Sequence, residues 1–288
     1  MTPISPELRT KYPVFRHIGL AGRYLLLLAV LILMVGPLAW QLLTSLKSRG
    51  EDLFGSSASL LPQDWSLHAY SEVVTSIPIP TYVRNSLILV VLSLVSHLIF
   101  ATAGGYMLSR PGWRGRKAVF LLLVIAMMFP FESIMVSLFL QVRDLGLVDS
   151  LAGVWLPGIV GSINVLVMRA AFLAVPREIE EAALLDGANE WQRFFRIFLP
   201  AGVGGLMVVG INTVIGAWDD FLWPLIVLQS EENFPLTLGL AQLKTSAFGI
   251  DERVVMAGSM ISVIPVLILF FLTQRYFYKG IEAGAVKL

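Results

Sequence analysis

The chain contains no cysteine, only three histidines and few charged residues. Without cysteine it can form neither a disulfide framework nor a thiolate metal site. The three histidines are scattered without metal-ligand spacing, so we expect no metal site. Charged residues make up 14% of the 288 residues, whereas soluble domains have about 25%. The chain therefore has too few polar side chains to cover a water-facing globule.

Nucleotide-binding and catalytic motifs are also missing. The glycines of the 202–216 segment are not in GxGxxG order, and no GxxxxGK[ST] sequence occurs. These glycines are typical of close helix packing instead. An intramembrane enzyme would need a nucleophile–base pair or an HExxH metal site, and neither is visible. The sequence thus predicts no catalytic residues and no cofactor bound by this chain.

Long apolar runs are what the sequence has in abundance. Apolar residues make up 56% of the chain, and the mean hydropathy is +0.77. A bilayer core about 30 Å thick needs a helix of roughly 20 apolar residues. The first run is too long for a signal-peptide core and predicts a retained anchor. We predict an all-α membrane protein with one transmembrane domain over 1–288, whose six spans cover 24–43, 86–108, 118–140, 150–175, 199–228 and 255–276.

The basic residues predict the orientation of these spans. If the N-terminus is cytoplasmic, most lysines and arginines fall in cytoplasmic segments, and an even number of spans leaves both termini cytoplasmic. The formal net charge of +1 argues neither for nor against a nucleic-acid partner. We expect no nucleic-acid partner, and we expect the lipid bilayer to surround the chain. The outside segments then hold only six of the 21 lysines and arginines: Lys47, Arg49, Arg84, Arg143, Lys244 and Arg253.

One short acidic segment between the fourth and fifth spans has clear local structure signals. Pro176 can begin a helix, and the glutamates after it lie at the positive end of the helix dipole. Gly187 can adopt the left-handed conformation that ends a helix. Asn189 and Gln192 have the spacing of a capping box for the next helix. The sequence predicts a helix over 176–187, a sharp turn and a second helix.

The same segment contains the spacing E-A-A-x3-G-x9-I-x-L-P, which resembles the cytoplasmic coupling loop of the membrane subunits of bacterial and archaeal ATP-binding-cassette (ABC) importers. Amphipathicity alone would equally fit an interfacial helix packed on the bilayer or on its own bundle. Other motifs resemble the carbohydrate-uptake branch of these importers. They are Arg84–Leu87, Gly105–Arg110, Met128–Pro130, Leu145–Leu147, Trp218–Leu225 and Gly280–Lys287.

The resemblance implies a type I ABC importer-like permease fold with six transmembrane helices and a cytoplasmic coupling helix, in a bacterial or archaeal plasma membrane. It implies as partners a homologous second permease subunit, two ATPase subunits that bind ATP and magnesium, and an extracytoplasmic solute-binding protein. The chain itself would move a sugar or sugar-like solute by alternating access. The implied ATPase-coupling residues are Glu181, Ala182, Ala183, Asp186, Gly187, Ile197, Leu199 and Pro200.

Two alternatives for the function remain open. A member of the same family could import glycerol phosphodiesters, aminosugars or another polar solute. A secondary transporter would instead show an inverted repeat or charges buried in mid-span, and only Glu132 approaches that pattern.

Polar and aromatic groups within the spans are candidates for the solute path, because polar groups in a membrane are costly and usually face a cavity or a partner. The asparagines could equally form ordinary interhelical hydrogen bonds, and the tryptophans with Asp219 could form an interfacial aromatic belt. The candidates are Glu132, Asn164, Asn212, Trp218, Asp219 and Trp223.

Overall fold

The computed structural model describes residues 13–245 and 251–285, with the side chains of 22–243 and 251–274. Lys287 and both chain ends, which enter the predicted orientation and tail motif, lie outside these ranges. Within them the regular secondary structure is helical, apart from one isolated antiparallel bridge between Lys47 and Trp65. The helices are α1 Pro13–Ser45, α2 His68–Ser76, α3 Ile79–Ser109, α4 Arg116–Met128, α5 Phe131–Asp144, α6 Leu151–Trp155, α7 Ser162–Leu173, α8 Arg177–Leu185, α9 Glu190–Arg193, α10 Leu199–Ala201, α11 Val203–Asp219, α12 Leu222–Val227, α13 Leu236–Ala241 and α14 Glu252–Ala285.

Six predicted spans correspond to three long helices and three bent pairs. Among the described residues, α1, α3 and α14 are each long and apolar enough to cross a bilayer, and the count reaches six if each bent pair is one span. The pairs bend by 103° between α4 and α5, 44° between Leu151–Gly158 and α7, and 72° between Glu190–Ala201 and α11. All six apolar stretches are therefore largely helical, and the third, fourth and fifth are broken while the first, second and sixth are continuous.

Proline and glycine explain two of these breaks. Pro130 has no backbone N–H and forces Phe129 out of the helical region, to φ −84° and ψ 121°, so α4 ends before it. Gly202 lies at the 72° bend, where an added Cβ would be 2.6 Å from the buried Phe172 ring. Helix α11 ends at Asp219 and α12 follows it, so the predicted fifth span over 199–228 is divided among three helices.

The described residues group into two compact units, and the single domain over 1–288 stays a prediction. Residues 13–73 and 251–261 form one unit. Within it, the apolar side chains of α1 over 22–45 are largely exposed, as is typical of a helix that faces lipid or another subunit. The loop after α1 is held by the Glu51 carboxylate, which accepts hydrogen bonds at 3.0 Å from the backbone N–H groups of Gln63 and Asp64.

Residues 74–245 and 262–285 form the other unit, in which α3 packs against α7 and α11. The crossing of α3 and α7 is close because Gly105 has no side chain. A Cβ there would lie 2.6 Å from the Met168 Cβ and 2.8 Å from the Arg169 backbone nitrogen. This packing produces a buried cluster formed by Ala101, Tyr106, Met168, Phe172, Phe198 and Val209.

Hydrogen bonds to Asp149 join the loop before α6 to the loop after α12. Asp149 has φ 57°, and its carboxylate accepts hydrogen bonds from the Ser230 hydroxyl at 2.5 Å and from the backbone N–H groups of Ser230 and Gln229, both at 2.9 Å. These donors hold the pKa of the Asp149 carboxyl well below its usual range. The carboxylate lies outside the helical spans, so it is accessible to the solvent pH.

We expect Asp149→Asn to lower thermal stability in a pH-dependent way. Because the folded-state pKa is depressed, the carboxylate's contribution is complete above its unfolded pKa of about 3.9 and is lost as pH falls through the lower folded value. Asparagine tolerates positive φ, so the variant isolates the charge. The difference in unfolding midpoint should be constant between about pH 5 and about pH 8 and shrink below about pH 4. A difference that grows on acidification would contradict this assignment.

Candidate functional site

The acidic segment folds as the predicted helix–turn–helix, called here the coupling hairpin (177–193). Pro176 is the N-cap of α8, with φ −58° and ψ 139°, rather than a residue of its first turn. The helix has nine residues, slightly shorter than the predicted 176–187. Asn189 and Gln192 form both hydrogen bonds of the capping box, each at 2.9 Å. The local signals in the sequence were therefore sufficient for this element.

The turn of the hairpin depends on Gly187. Its φ of +75° is in the left-handed region, and the backbone bonds from Gly187 to Leu184 at 3.0 Å and from Ala188 to Ala183 at 2.9 Å form a Schellman motif. The predicted left-handed stop is confirmed. The motif sets the direction in which the chain leaves α8 and enters α9.

We expect Gly187→Val to disturb this turn, since a β-branched residue resists positive φ at a cost of about 1–3 kcal/mol. An added Cβ meets no atom within 4 Å, so the effect would be one of backbone strain. Gly187→Asn is the matched control, because asparagine tolerates the left-handed region. Limited proteolysis of the purified protein should cut the valine variant faster within 185–190. Equal cleavage of the two variants would argue against strain at Gly187.

One face of α8 is tied to the rest of the unit by charge. Glu180 forms ion pairs with Arg110, the C-cap of α3, and with Arg193 of α9, the latter at 3.1 Å. The side chains of Glu180, Arg110 and Arg193 are only 18%, 12% and 13% exposed. Arg193 also pairs with Glu190. Solvent screening is weak at such exposure, so removing one partner would leave a poorly solvated, uncompensated charge beside the hairpin.

A second attachment passes through Tyr106. Its hydroxyl lies 2.6 Å from Glu190 of α9, and its ring lies edge-on to Phe194 and Phe198, with centroids 5.0 and 5.2 Å away. The Arg110 guanidinium lies 3.9 Å from the Phe198 ring centroid. The 194–198 segment is a π-helical turn, a rare geometry often found at functional sites. The hairpin is thus fastened to the last turn of α3.

The other face of α8 is open. Glu181 and Ala182 are exposed and Ala183 is partly buried. Leu185 is 90% exposed and Ile179 is 49% exposed. Such apolar exposure beside a carboxylate is typical of a surface that another protein covers.

The remaining predicted coupling residues continue from this helix. Asp186 is the C-cap of α8 and is exposed. Ile197 packs against the buried cluster around Tyr106 and Phe172, whereas Leu199 and Pro200 open α10. The structure therefore places the predicted set on one continuous segment, although the coupling role of each residue stays a prediction.

Two of the predicted path residues meet in a polar cluster between α3, α7 and α11. Asn164 is 2% exposed, its amide group lies 3.1 Å from Nδ1 of His97 and 3.2 Å from the Thr213 hydroxyl, and its carbonyl oxygen accepts from Asn212 at 3.3 Å. Nε2 of His97 lies 2.6 Å from the Gly158 carbonyl oxygen. This nitrogen must therefore donate, which leaves Nδ1 as the acceptor. The interhelical hydrogen bond between the asparagines exists, beside a cavity of 260 Å³.

The other predicted path residues lie elsewhere. Trp218 and Trp223 are each 4% exposed, and their indole N–H groups donate to the carbonyls of Ser262 at 3.1 Å and Gly153 at 3.3 Å. Asp219 is exposed at the end of α11. Glu132 is exposed in the first turn of α5, directly after the Pro130 break. Both tryptophans are therefore buried within the unit, and the path role of all four residues stays a prediction.

Several site residues were missed by sequence reasoning. Tyr106 and Arg110 lie in the Gly105–Arg110 motif, for which the sequence indicates only a family resemblance. For Glu180 the sequence indicates only a charge at the helix N-terminus. Arg193 and Glu190 carried no separate signal. The acidic pattern of the hairpin facing the basic end of α3 could have suggested a charge contact, but not which pairs form.

Broken apolar spans and an exposed, charge-anchored helical hairpin define a multi-pass membrane transport subunit. A family model described as "binding-protein-dependent transport system inner membrane component" matches residues 98–283. The chain belongs to this family, and the permease predicted from the sequence is confirmed.

Several curated relatives cover most of the chain. It is 39% identical over 207 residues to an arabinooligosaccharide transport system permease of Halalkalibacterium halodurans, covering 72% of this chain and 74% of that protein. It is 36% identical over 258 residues to the protein of the same name in Bacillus subtilis, covering 89% and 92%. A diacetylchitobiose uptake permease of Streptomyces coelicolor is 29% identical over 275 residues, covering 94% and 90%.

Solved structures have the same fold. A bacterial ABC transporter involved in import of the acidic polysaccharide alginate matches with a TM-score of 0.79 and 28% identity, over 96% of this chain and 100% of that one. A second alginate transporter structure, in complex with an alginate pentasaccharide-bound periplasmic protein, matches with a TM-score of 0.63 and 17% identity, over 92% and 97%. The ABC-importer permease fold predicted from the sequence is confirmed.

Proposed function

We propose that this chain is one permease subunit of an ATP-driven, binding-protein-dependent importer of a sugar or oligosaccharide. The observation that carries the proposal is the coupling hairpin: it exposes Glu181 and Leu185 on one side and is anchored to α3 on the other. The relatives named for arabinooligosaccharides and diacetylchitobiose support a sugar as the cargo.

The proposed assembly has four kinds of component. A homologous second permease subunit completes the path, two ATPase subunits bind ATP and magnesium, and an extracytoplasmic protein delivers the solute. The alginate transporter in complex with a periplasmic protein supports the last of these. The chain lies in a bacterial or archaeal plasma membrane with both termini cytoplasmic, which puts the hairpin on the ATPase side.

The contacts of the hairpin explain how movement reaches the membrane helices. When the ATPase subunits close, they displace the exposed face of α8. Two routes then lead onward: Glu180 and Glu190 pull on Arg110 and Tyr106 of α3, and the 194–201 segment pushes on α11. ATP binding must favour one state of the path over the other for this to drive transport. The hairpin is the element on which that difference acts.

The proposal is tested by Glu181→Lys in the complete transporter, reconstituted with its ATPase and binding protein. Glu181 is exposed and has no structural ion pair among the described residues, so the variant should fold and insert. We expect solute uptake to fall at least tenfold while basal ATP hydrolysis continues, since loss of a close charge pair at an interface costs about 2 kcal/mol or more.

Asp144→Lys is the control for this test. It makes the same charge change at a side chain that is 67% exposed and lies on the predicted opposite side of the membrane, so uptake should be unchanged. Normal coupled uptake by Glu181→Lys would contradict the role of the hairpin.

An aminosugar is the second candidate cargo, favoured by the diacetylchitobiose relative, which covers 94% of the chain. Its acetamido groups would find amide partners at the cavity lined by Asn164 and Asn212. Uptake assays with neutral and N-acetylated oligosaccharides of equal length would separate the two candidates.

A further inference from the structure

A second cavity, of 530 Å³, lies between the coupling hairpin and the end of α3. Its size is within the range of small-molecule sites. Charged side chains from five segments converge on it, and the positive ones outnumber the negative ones. The arginines are Arg110, Arg116, Arg169, Arg177 and Arg193, and the carboxylates are Glu180, Glu181 and Glu190.

The carboxylates are not free to neutralise all five arginines. Glu180 and Glu190 pair with Arg110 and Arg193, and Glu181 is the one lining carboxylate without an ion pair among the described residues. Among residues 22–243 and 251–274, no carboxylate lies within ion-pair distance of the other three arginines, Arg116, Arg169 and Arg177. The cavity therefore keeps an excess of positive charge.

These three guanidinium groups also keep most of their hydrogen-bond capacity. Arg116 donates to the Arg110 carbonyl at 2.8 Å, and Arg169 donates to the Leu108 carbonyl at 3.3 Å while lying over the Phe120 ring. Both bonds stabilise the carbonyl end of α3. Each guanidinium has five N–H donors in a planar fork, so several remain for a ligand. The Nε of Arg193, buried at the same cavity, also has no partner within the described structure.

We propose that this cavity binds a phosphate-bearing anion through Arg116, Arg169 and Arg177. Phosphate presents several acceptor oxygens in a geometry that matches the guanidinium fork, and its charge balances the surplus. Two sources share this chemistry: the headgroup of an anionic phospholipid and a soluble phosphorylated compound. The cavity lies on the predicted cytoplasmic side, where both are present.

The position of the arginines indicates what the anion would do. Arg177 belongs to α8 of the hairpin, whereas Arg116 and Arg169 belong to α4 and α7. A bound phosphate would therefore bridge the hairpin to two other helices. It would add to the Glu180 and Glu190 contacts that hold the hairpin, and so regulate how far α8 can move.

Binding is measured on the complete complex in phosphatidylcholine nanodiscs, titrated with radiolabelled inorganic phosphate at constant ionic strength. Retention of phosphatidylglycerol is measured in parallel by native mass spectrometry. The ATPase subunits contribute the same background in every sample. We expect one of the two probes to bind, and Arg177→Gln to weaken it about tenfold, the size of one lost charged hydrogen bond.

Arg114→Gln is the matched control, since Arg114 is exposed two residues before the start of α4 at Arg116 but does not line the cavity. Arg116→Gln provides a second variant on a different helix. Phosphate binding weakened only by the cavity variants would identify a soluble ligand, and phosphatidylglycerol retention weakened only by them would identify the lipid. Equal effects of Arg114→Gln and Arg177→Gln, or no binding above the ATPase background, would overturn the proposal.

Discussion

Glu180→Gln is expected to stop coupled transport while leaving the protein inserted. Glutamine keeps the shape of the side chain but cannot neutralise Arg110 and Arg193, which are only 12% and 13% exposed. Breaking a buried ion pair by removing one partner costs about 3 kcal/mol, which lowers the equilibrium constant for the anchored hairpin roughly a hundredfold. Uptake should fall by more than tenfold, whereas ATP hydrolysis by the partner subunits should persist.

Glu178→Gln is the matched control, because Glu178 is on the same helix, is exposed, and has no partner among the described ion pairs. A double-mutant cycle with Arg110→Gln measures the pair itself. Surface ion pairs typically contribute less than about 1 kcal/mol, and this cycle should give a coupling energy well above that. If Glu180→Gln transports as well as Glu178→Gln, the anchoring role of Glu180 is wrong.

Gly105→Ala is expected to destabilise the protein clearly, because it adds a methyl group where α3 crosses α7. The new Cβ would lie 2.8 Å from the backbone nitrogen of Arg169, and a backbone atom cannot rotate away as a side-chain end can. Helix α7 would have to move from α3, at a cost of about 1–3 kcal/mol. Thermal unfolding of the purified complex in one detergent should show a clear fall in midpoint.

Gly216→Ala provides the comparison for that measurement. Gly216 lies within α11, and an added Cβ meets no atom within 4 Å. Alanine favours a helix by up to about 1 kcal/mol relative to glycine, so this variant should unfold at the same or a higher temperature. A Gly105→Ala midpoint equal to that of Gly216→Ala would mean that α3 and α7 are not closely packed.

The membrane-spanning breaks show where sequence prediction was incomplete. Pro130 interrupts an apolar run of the sequence. Because proline disfavours a helical conformation at the residue before it, the end of α4 could have been predicted. The size of the bend, 103°, could not have been predicted, because a proline removes a hydrogen bond without setting the direction of the next helix. That direction depends on the helices against which α5 packs.

The path candidates show a different limit. Asn164 and Asn212 are predicted path residues because polar groups in apolar spans usually face a cavity or a partner. The structure brings both into one polar cluster. Trp218 and Trp223 were chosen by the same logic, yet both are buried and donate to backbone carbonyls within the chain. The residue type alone could not distinguish a polar cluster at a cavity from a buried structural contact, because an indole N–H can donate to a backbone carbonyl as well as to a solute.

The sequence by itself determined the coupling hairpin and the apolar stretches, because proline, Gly187 and the Asn189 capping box act on backbone only a few residues away. Only the tertiary structure decided which residues of α3 the hairpin contacts. Arg110 and Glu180 are 70 residues apart, and Tyr106 and Glu190 are 84 residues apart. Such contacts depend on how the helices pack, because no local preference of either residue specifies a partner so far away in the sequence.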